Sequence, residues 1–197
     1  MKEKLYDFVR AVVRPIYGFL FGRQVFGVEN LPEAGGFVLC ANHLHARDPF
    51  YMAAALPKDR RLFSLAKKEL FVNRLVGGFL SAVGAIPVDR GNADLSAMRA
   101  AFKVVREGSG LIVFPQGTRS RDNSPTPFLT GASMIALRCG VPVIPAYIDG
   151  PYRPFQRTDI FLGRPLDFSD LGARIDANVM SAATRRIENA VWNLRRV

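Results

Sequence analysis

Both histidines of this 197-residue chain fall in one ten-residue stretch, ANHLHARDPF at residues 41–50, where Asp48 follows His43 by five positions and His45 by three. An imidazole held through one nitrogen by a carboxylate is fixed in a single tautomer. It can then take a proton as a general base, because the carboxylate stabilises the imidazolium that forms. The same residues also read as local architecture. Asp48-Pro49 is a good helix start, with Asp48 as N-cap and Pro49 at the first helical position. The two readings are compatible, since a capping carboxylate still has an oxygen to offer an imidazole.

The elements around the stretch are those of a layered fold. Residues 36–40 (GFVLC) are an apolar run that reads as a short buried strand, and a strand end turning into a loop holds reactive side chains firmly. Further strands are expected at residues 61–66, 84–88, 111–114 and 141–148, the last interrupted by Pro142 and Pro145, with an edge strand at 24–29. Helical spacing marks residues 49–56, 73–83, 94–107, 131–139 and 176–196. Alternating strands and helices predict a single α/β domain over residues 23–197, with a mostly parallel central sheet flanked by helices.

Residues 1–22 form a separate amphipathic segment. Leu5, Phe8, Val9, Val12, Ile16, Phe19 and Leu20 follow helical spacing while Asp7, Arg10 and Arg14 fall on another side. Pro15 is expected to end or kink the helix. Arg10, Arg14 and Pro15 break the apolar core that a secretory signal needs. Two readings stand: a helix packed on the domain, and a membrane-binding helix lying in the interface with its aromatic and aliphatic face in the lipid.

Composition narrows the partners. With 27 Lys+Arg against 17 Asp+Glu, the chain carries a formal charge of +10, which favours phosphate-bearing or acidic partners: nucleic acid, anionic lipid headgroups or an acidic carrier protein. Cys40 and Cys139 lie far apart in apolar contexts and read as buried residues of a reducing compartment. Two histidines and no clustered cysteines argue against a structural zinc site, and neither a metal nor a bound cofactor is implied. No run of about 18 apolar residues marks a clear membrane span.

Basic groups recur just beyond strands: Lys67-Lys68, Arg90 and Arg119. Ligands of open α/β sheets bind in a crevice at the carboxyl ends of strands. Cations gathered there with His43, and backbone amides around Gly117, would place an anion beside a general base. The nucleotide phosphate loops GxxxxGK[ST] and GxGxxG are missing, as is the GxSxG nucleophile elbow. A His-Asp pair without a protein nucleophile suggests direct transfer, in which the base activates a hydroxyl of the substrate itself.

NHLHARDP resembles the NHxxxxD motif of the glycerolipid acyltransferases of the lysophosphatidic acid acyltransferase type. The blocks AKKELF from Ala66, GAIPVDRG from Gly84, FPQGTRS from Phe114 and VPVIPAYIDG from Val141 follow in the family's order, so the resemblance spans about residues 36–150. It implies transfer of a fatty acyl group from a thioester, on acyl carrier protein or coenzyme A as co-substrate, to the sn-2 hydroxyl of lysophosphatidic acid. By this resemblance His43 is the base and Asp48 orients it, Arg90 and Arg119 hold the acceptor's phosphate, and Lys67 contributes to the same anion site. Gln116, Gly117 and Thr118 belong to the substrate-binding third motif. Gln116 stands where that motif usually carries Glu; its amide can hydrogen-bond a glycerol hydroxyl but cannot accept a proton. His45 stands where a serine is common.

The expected protein is a peripheral enzyme on the cytoplasmic face of an anionic membrane. Rival readings are acylation of a different lyso-lipid, motivated by Gln116 and His45, and a non-catalytic lipid-binding member of the fold. Nucleic-acid binding rests on charge alone, without a recognition motif.

Overall fold

The computed structural model describes residues 2–22, 24–57, 60–89, 94–120, 124–150, 153, 155–172 and 174–195. The chain runs through α1 (Lys2–Phe21), β1 (Val25–Phe26), β2 (Phe37–Ala41), α2 (Asp48–Ala55), β3 (Leu62–Lys67), α3 (Arg74–Ala82) and β4 (Ala85–Val88). It continues through α4 (Leu95–Arg106), β5 (Gly110–Val113), α5 (Gly131–Cys139), β6 (Val143–Asp149), β7 (Asp159–Leu162) and α6 (Ala177–Trp192). The strands make one sheet in the order β1-β7-β6-β2-β5-β3-β4. All neighbours are parallel except β6 and β7, which are antiparallel.

The central strands are buried on both faces, and their period-2 alternation feeds two cores. Val38 and Cys40 of β2, Leu111 and Val113 of β5, and Val143 and Tyr147 of β6 pack with α4, α5 and α6. Phe37, Leu39 and Ala41, Ile112, and Ile144, Ala146 and Ile148 pack on the other face with Tyr51, Met52 and Leu56, in and just beyond α2. Entry into β2 is tight. A Cβ on Gly36 would lie 1.9 Å from the Val105 carbonyl oxygen, so no other residue fits there without moving α4.

The mostly parallel α/β domain expected from the pattern is the fold observed. Several features differ in detail. The strand β7 was not foreseen; it is four residues long and follows a segment rich in Pro and Arg. Its antiparallel pairing covers Ala146 to Asp149 and stops short of Pro145, whose missing N–H therefore falls at the end of the ladder. The edge segment at 24–29 is a two-residue strand followed by a 3-10 helix, Val28–Asn30.

Helix α1 continues through Pro15. Pro15 and Ala11, the residue whose carbonyl loses its partner, are both exposed, so water can satisfy that carbonyl while packing on either side keeps the helix together. Its inward face is not the simple apolar stripe that spacing suggests. Arg10 is buried rather than on a solvated side: Nη1 donates to the Arg60 carbonyl at 3.4 Å and Nη2 to the carbonyls of Leu56 and Pro57. It thereby caps the carboxyl end of α2. The hydroxyl of buried Tyr6 accepts the Leu62 amide at 3.2 Å. The outward face is apolar, with Leu5, Phe8, Val12, Ile16 and Phe19 exposed. No helix among the described residues is long and apolar enough to cross a membrane.

Candidate active site

The chain leaves β2 and β5 in opposite directions. From β2 it passes through α2 to β3, and from β5 through α5 to β6, with α2 and α5 on opposite faces of the sheet. Between these neighbouring strands the connections part and open a crevice at their carboxyl ends, the usual ligand site of such sheets. His43 lies two residues beyond β2 and Gln116 three beyond β5. Both edges of the crevice are thus drawn from loops anchored on buried strands.

His43 Nδ1 and Asp48 Oδ2 are 2.7 Å apart, both side chains buried. Asp48 Oδ2 also accepts the amides of Leu44 at 2.7 Å and His45 at 2.9 Å. An oxygen receiving two N–H donors is a carboxylate acceptor for the third, so Nδ1 carries the ring proton and Nε2 is the basic nitrogen. Asp48 is the first residue of α2, and the N-cap is Arg47, which makes no side-chain cap. The Asp48 carboxylate therefore caps the amides of the preceding loop rather than the helix's own, which corrects its expected placement as N-cap. The positive end of α2 still favours its charge.

The rest of His43 is held from the β5 side. Its ring stacks on Phe114 at 4.2 Å and 20°. Its N–H donates to Gln116 Oε1 at 2.7 Å and its carbonyl accepts the Ser120 amide at 2.8 Å. Asn42, the preceding residue, fixes the loop to β6: its Nδ2 donates to the Ile148 carbonyl at 3.0 Å and its Oδ1 accepts the Ile148 amide at 2.7 Å. The turn between Phe114 and Ser120 needs Gly117, whose φ is +72° and whose Cβ would lie 2.9 Å from Leu129 Cδ1.

Of the other residues singled out in the sequence, His45 is adjacent. Its Nδ1 accepts from the Arg47 amide at 3.2 Å and from Arg47 Nε at 3.3 Å. Burial first, and then the charge of Arg47, holds the His45 imidazole below its ordinary range; Arg119 and His43 act in the same direction, and Asp48 opposes. Arg119 thus stands close enough to His45 to be felt electrostatically. Thr118 and Arg119 are exposed. Lys67 ends β3 and pairs with Glu69 at 3.3 Å, both side chains half-exposed. Lys68 pairs with Asp89 at the end of β4. Arg90 lies outside the described residues. Asn42, Phe114, Ser120 and Thr126 were not singled out by sequence. Asn42 had a signal, an amide directly between a buried strand and a histidine; Phe114 and Ser120 meet His43 from more than 70 residues away, and Thr126, which accepts from Gln116 Nε2, itself lies in a proline-containing loop.

Chemically, the arrangement offers a proton acceptor at His43 Nε2. Cys40, the nearest thiol in sequence, is buried in β2, and burial pushes its pKa far above the ordinary range, so it is no nucleophile. Among the described residues no group of three or more His, Cys, Asp or Glu is arranged to hold a metal ion.

A family model described as Acyltransferase matches residues 22–149. The chain is 29% identical over 195 residues to the 1-acyl-sn-glycerol-3-phosphate acyltransferase of Bacillus subtilis, covering 96% of each chain. It is 34% identical over 188 residues to a protein of the same name from Streptococcus pneumoniae, covering 91% of this chain and 69% of that one. Its fold matches the crystal structure of the 1-acyl-sn-glycerophosphate acyltransferase of Thermotoga maritima with a TM-score of 0.71. That match is 24% identical and covers 100% of this chain and 81% of the other.

Proposed function

This chain belongs to the acyltransferase family, and on that premise we propose that it moves a fatty acyl group from an acyl thioester to the sn-2 hydroxyl of lysophosphatidic acid, giving phosphatidic acid. The observation that carries the reading is the 2.7 Å contact of His43 Nδ1 with Asp48 Oδ2 at the carboxyl end of β2, in a chain whose relatives are named for this reaction.

His43 Nε2 takes the proton of the acceptor hydroxyl as its oxygen attacks the thioester carbonyl. Asp48 holds the imidazolium. Collapse of the tetrahedral oxyanion expels the thiolate, which takes the proton back from Nε2. The acyl group passes directly, so no protein nucleophile is needed. Arg119 and Arg90, with Lys67, serve the acceptor's phosphate, for which guanidinium gives bidentate donors.

The donor is a thioester of acyl carrier protein or coenzyme A, and the +10 charge suits either acidic co-substrate. The same charge, with the exposed apolar stripe of α1 and the exposed Leu70, Val72, Leu75, Val76 and Phe79 before and within α3, supports a peripheral seat on the cytoplasmic face of an anionic membrane. Helix α1 packs against α2 and α3, so the two apolar surfaces belong to one helical layer.

The test is transfer by purified protein in detergent with labelled acyl thioesters on both carriers, offered lysophosphatidic acid and lyso-lipids with other headgroups. Phosphatidic acid as the main product supports the reading. Faster acylation of another lyso-lipid would move the assignment to that acceptor, and vesicle binding without transfer to any acceptor would make the chain a lipid-binding member. Binding to anionic vesicles but not to DNA or RNA at moderate salt separates both from a nucleic-acid role.

A further inference from the structure

The loop after β5 grips the backbone of His43 at both its amide and its carbonyl, and the amide contact goes through a side chain, Gln116. The orientation of that side chain follows from chemistry. A backbone N–H can only donate, so the atom 2.7 Å from it must be the Gln116 oxygen. The amide nitrogen is then left to donate to Thr126 Oγ1 at 2.8 Å. Both polar ends of Gln116 are engaged inside the protein. Thr126 in turn belongs to a segment held in place by two further bonds: the Leu129 amide donates to the Pro115 carbonyl at 2.8 Å and the Phe128 amide to Glu188 Oε2 on α6 at 3.2 Å.

We infer that Gln116 is a positioning residue: with Thr126 it fixes the peptide that carries His43, rather than binding the acceptor's glycerol hydroxyls. The inference rests on the reading of His43 as the base. It also accounts for the amide where a carboxylate is usual. Either group presents an oxygen to the His43 N–H. The change is absorbed at Thr126, whose hydroxyl accepts from glutamine and would donate to glutamate.

A backbone shift at the base costs turnover more than acceptor affinity, since a misplacement of about 1 Å can cost roughly 100-fold in rate. Gln116→Ala is therefore expected to lower kcat at least about tenfold with KM for the acceptor changed less than about twofold. Gln116→Glu should restore most of kcat. It should also move the acidic limb of the kcat/KM profile to higher pH, because a carboxylate beside His43 favours the imidazolium. The titratable groups that meet that ring are Asp48 on α2, at 2.7 Å, and His45 on the same loop, and His45 in turn feels Arg47 and Arg119. Thr126→Val keeps glutamine and should lower kcat by a smaller factor.

The experiment combines these kinetics with amide hydrogen exchange of His43 in the full chain. Slow exchange in wild type and Gln116→Glu, with fast exchange in Gln116→Ala and the fall confined to kcat, is the expected result. Unchanged kcat in Gln116→Ala, unaltered His43 protection, or a change confined to acceptor KM overturns the inference. Wild-type protein that transfers to no acceptor fails the acyltransfer reading instead; the exchange arm still decides whether Gln116 holds the His43 peptide.

Discussion

Asp48 meets His43 through a single oxygen. Oδ2 takes the imidazole and the amides of Leu44 and His45, while Oδ1 is buried with no hydrogen-bond partner among the described residues. One carboxylate therefore shapes the loop and sets the tautomer. Asp48→Asn would keep an oxygen for the three donors but place an NH2 group where Oδ1 is buried, and it would remove the charge that stabilises imidazolium. Turnover is expected to fall roughly 10²–10⁴-fold, and stability by about 1–3 kcal/mol. Steady-state kinetics and urea unfolding of the variant check both. Turnover within a few-fold of wild type would remove Asp48 from the mechanism.

The His45 imidazole is expected to titrate low. Because burial and Arg47 lower the pKa of His45, that ring is neutral at pH 7 and protonates only below the ordinary imidazole range. The folded state then binds fewer protons than the unfolded chain between the two pKa values. In that window His45 makes stability rise with pH, and its contribution is lost as the pH falls from the unfolded value towards the folded one. NMR titration of the His45 imidazole signal, assigned through His45→Gln, checks this. A His45 midpoint above 6.5 would contradict it.

Arg10 is a structural anchor. Its guanidinium serves the carbonyls of Leu56, Pro57 and Arg60 from within the α1–α2 packing. Arg10→Leu keeps much of the apolar bulk but strands those carbonyls, and should cost about 2–4 kcal/mol in urea unfolding. A loss below about 0.5 kcal/mol would mean that α1 is not held by this contact.

The outward face of α1 makes a separate prediction. Phe8 and Phe19 are largely exposed, and the Phe19 ring meets that of exposed Phe155 edge-on at 5.9 Å. Moving a Phe side chain out of water gives about 2 kcal/mol. Phe8→Asp with Phe19→Asp should therefore weaken partition onto phosphatidylglycerol vesicles by roughly 100-fold or more, with the melting temperature little changed. Sedimentation with vesicles measures it, and unaltered partition would place the membrane contact elsewhere.

Much of this architecture was legible in the residues. The strands β2 and β5 are uninterrupted apolar runs, and Asn73 and Asp94 mark the starts of α3 and α4 by capping their first amides. The proximity of His43 and Asp48 was legible because five residues span a tight turn. What spacing could not show was set by contacts distant in sequence. Arg10 reads as a surface cation until the carboxyl end of α2 comes to it, 46 residues on. Spacing likewise does not show that the fold brings the His43 amide, 73 residues away, to the oxygen of Gln116. The strand β7 is held by pairing with β6 rather than by a long apolar run of its own.

The central claim is that His43 is the base of acyl transfer. Phosphatidic acid formation by wild type and His43→Ala, run side by side in detergent with lysophosphatidic acid and a labelled acyl thioester, tests it most directly. Product from wild type, with turnover lost in a His43→Ala protein that melts at the wild-type temperature, is the predicted result. Appreciable turnover by the folded variant would contradict it.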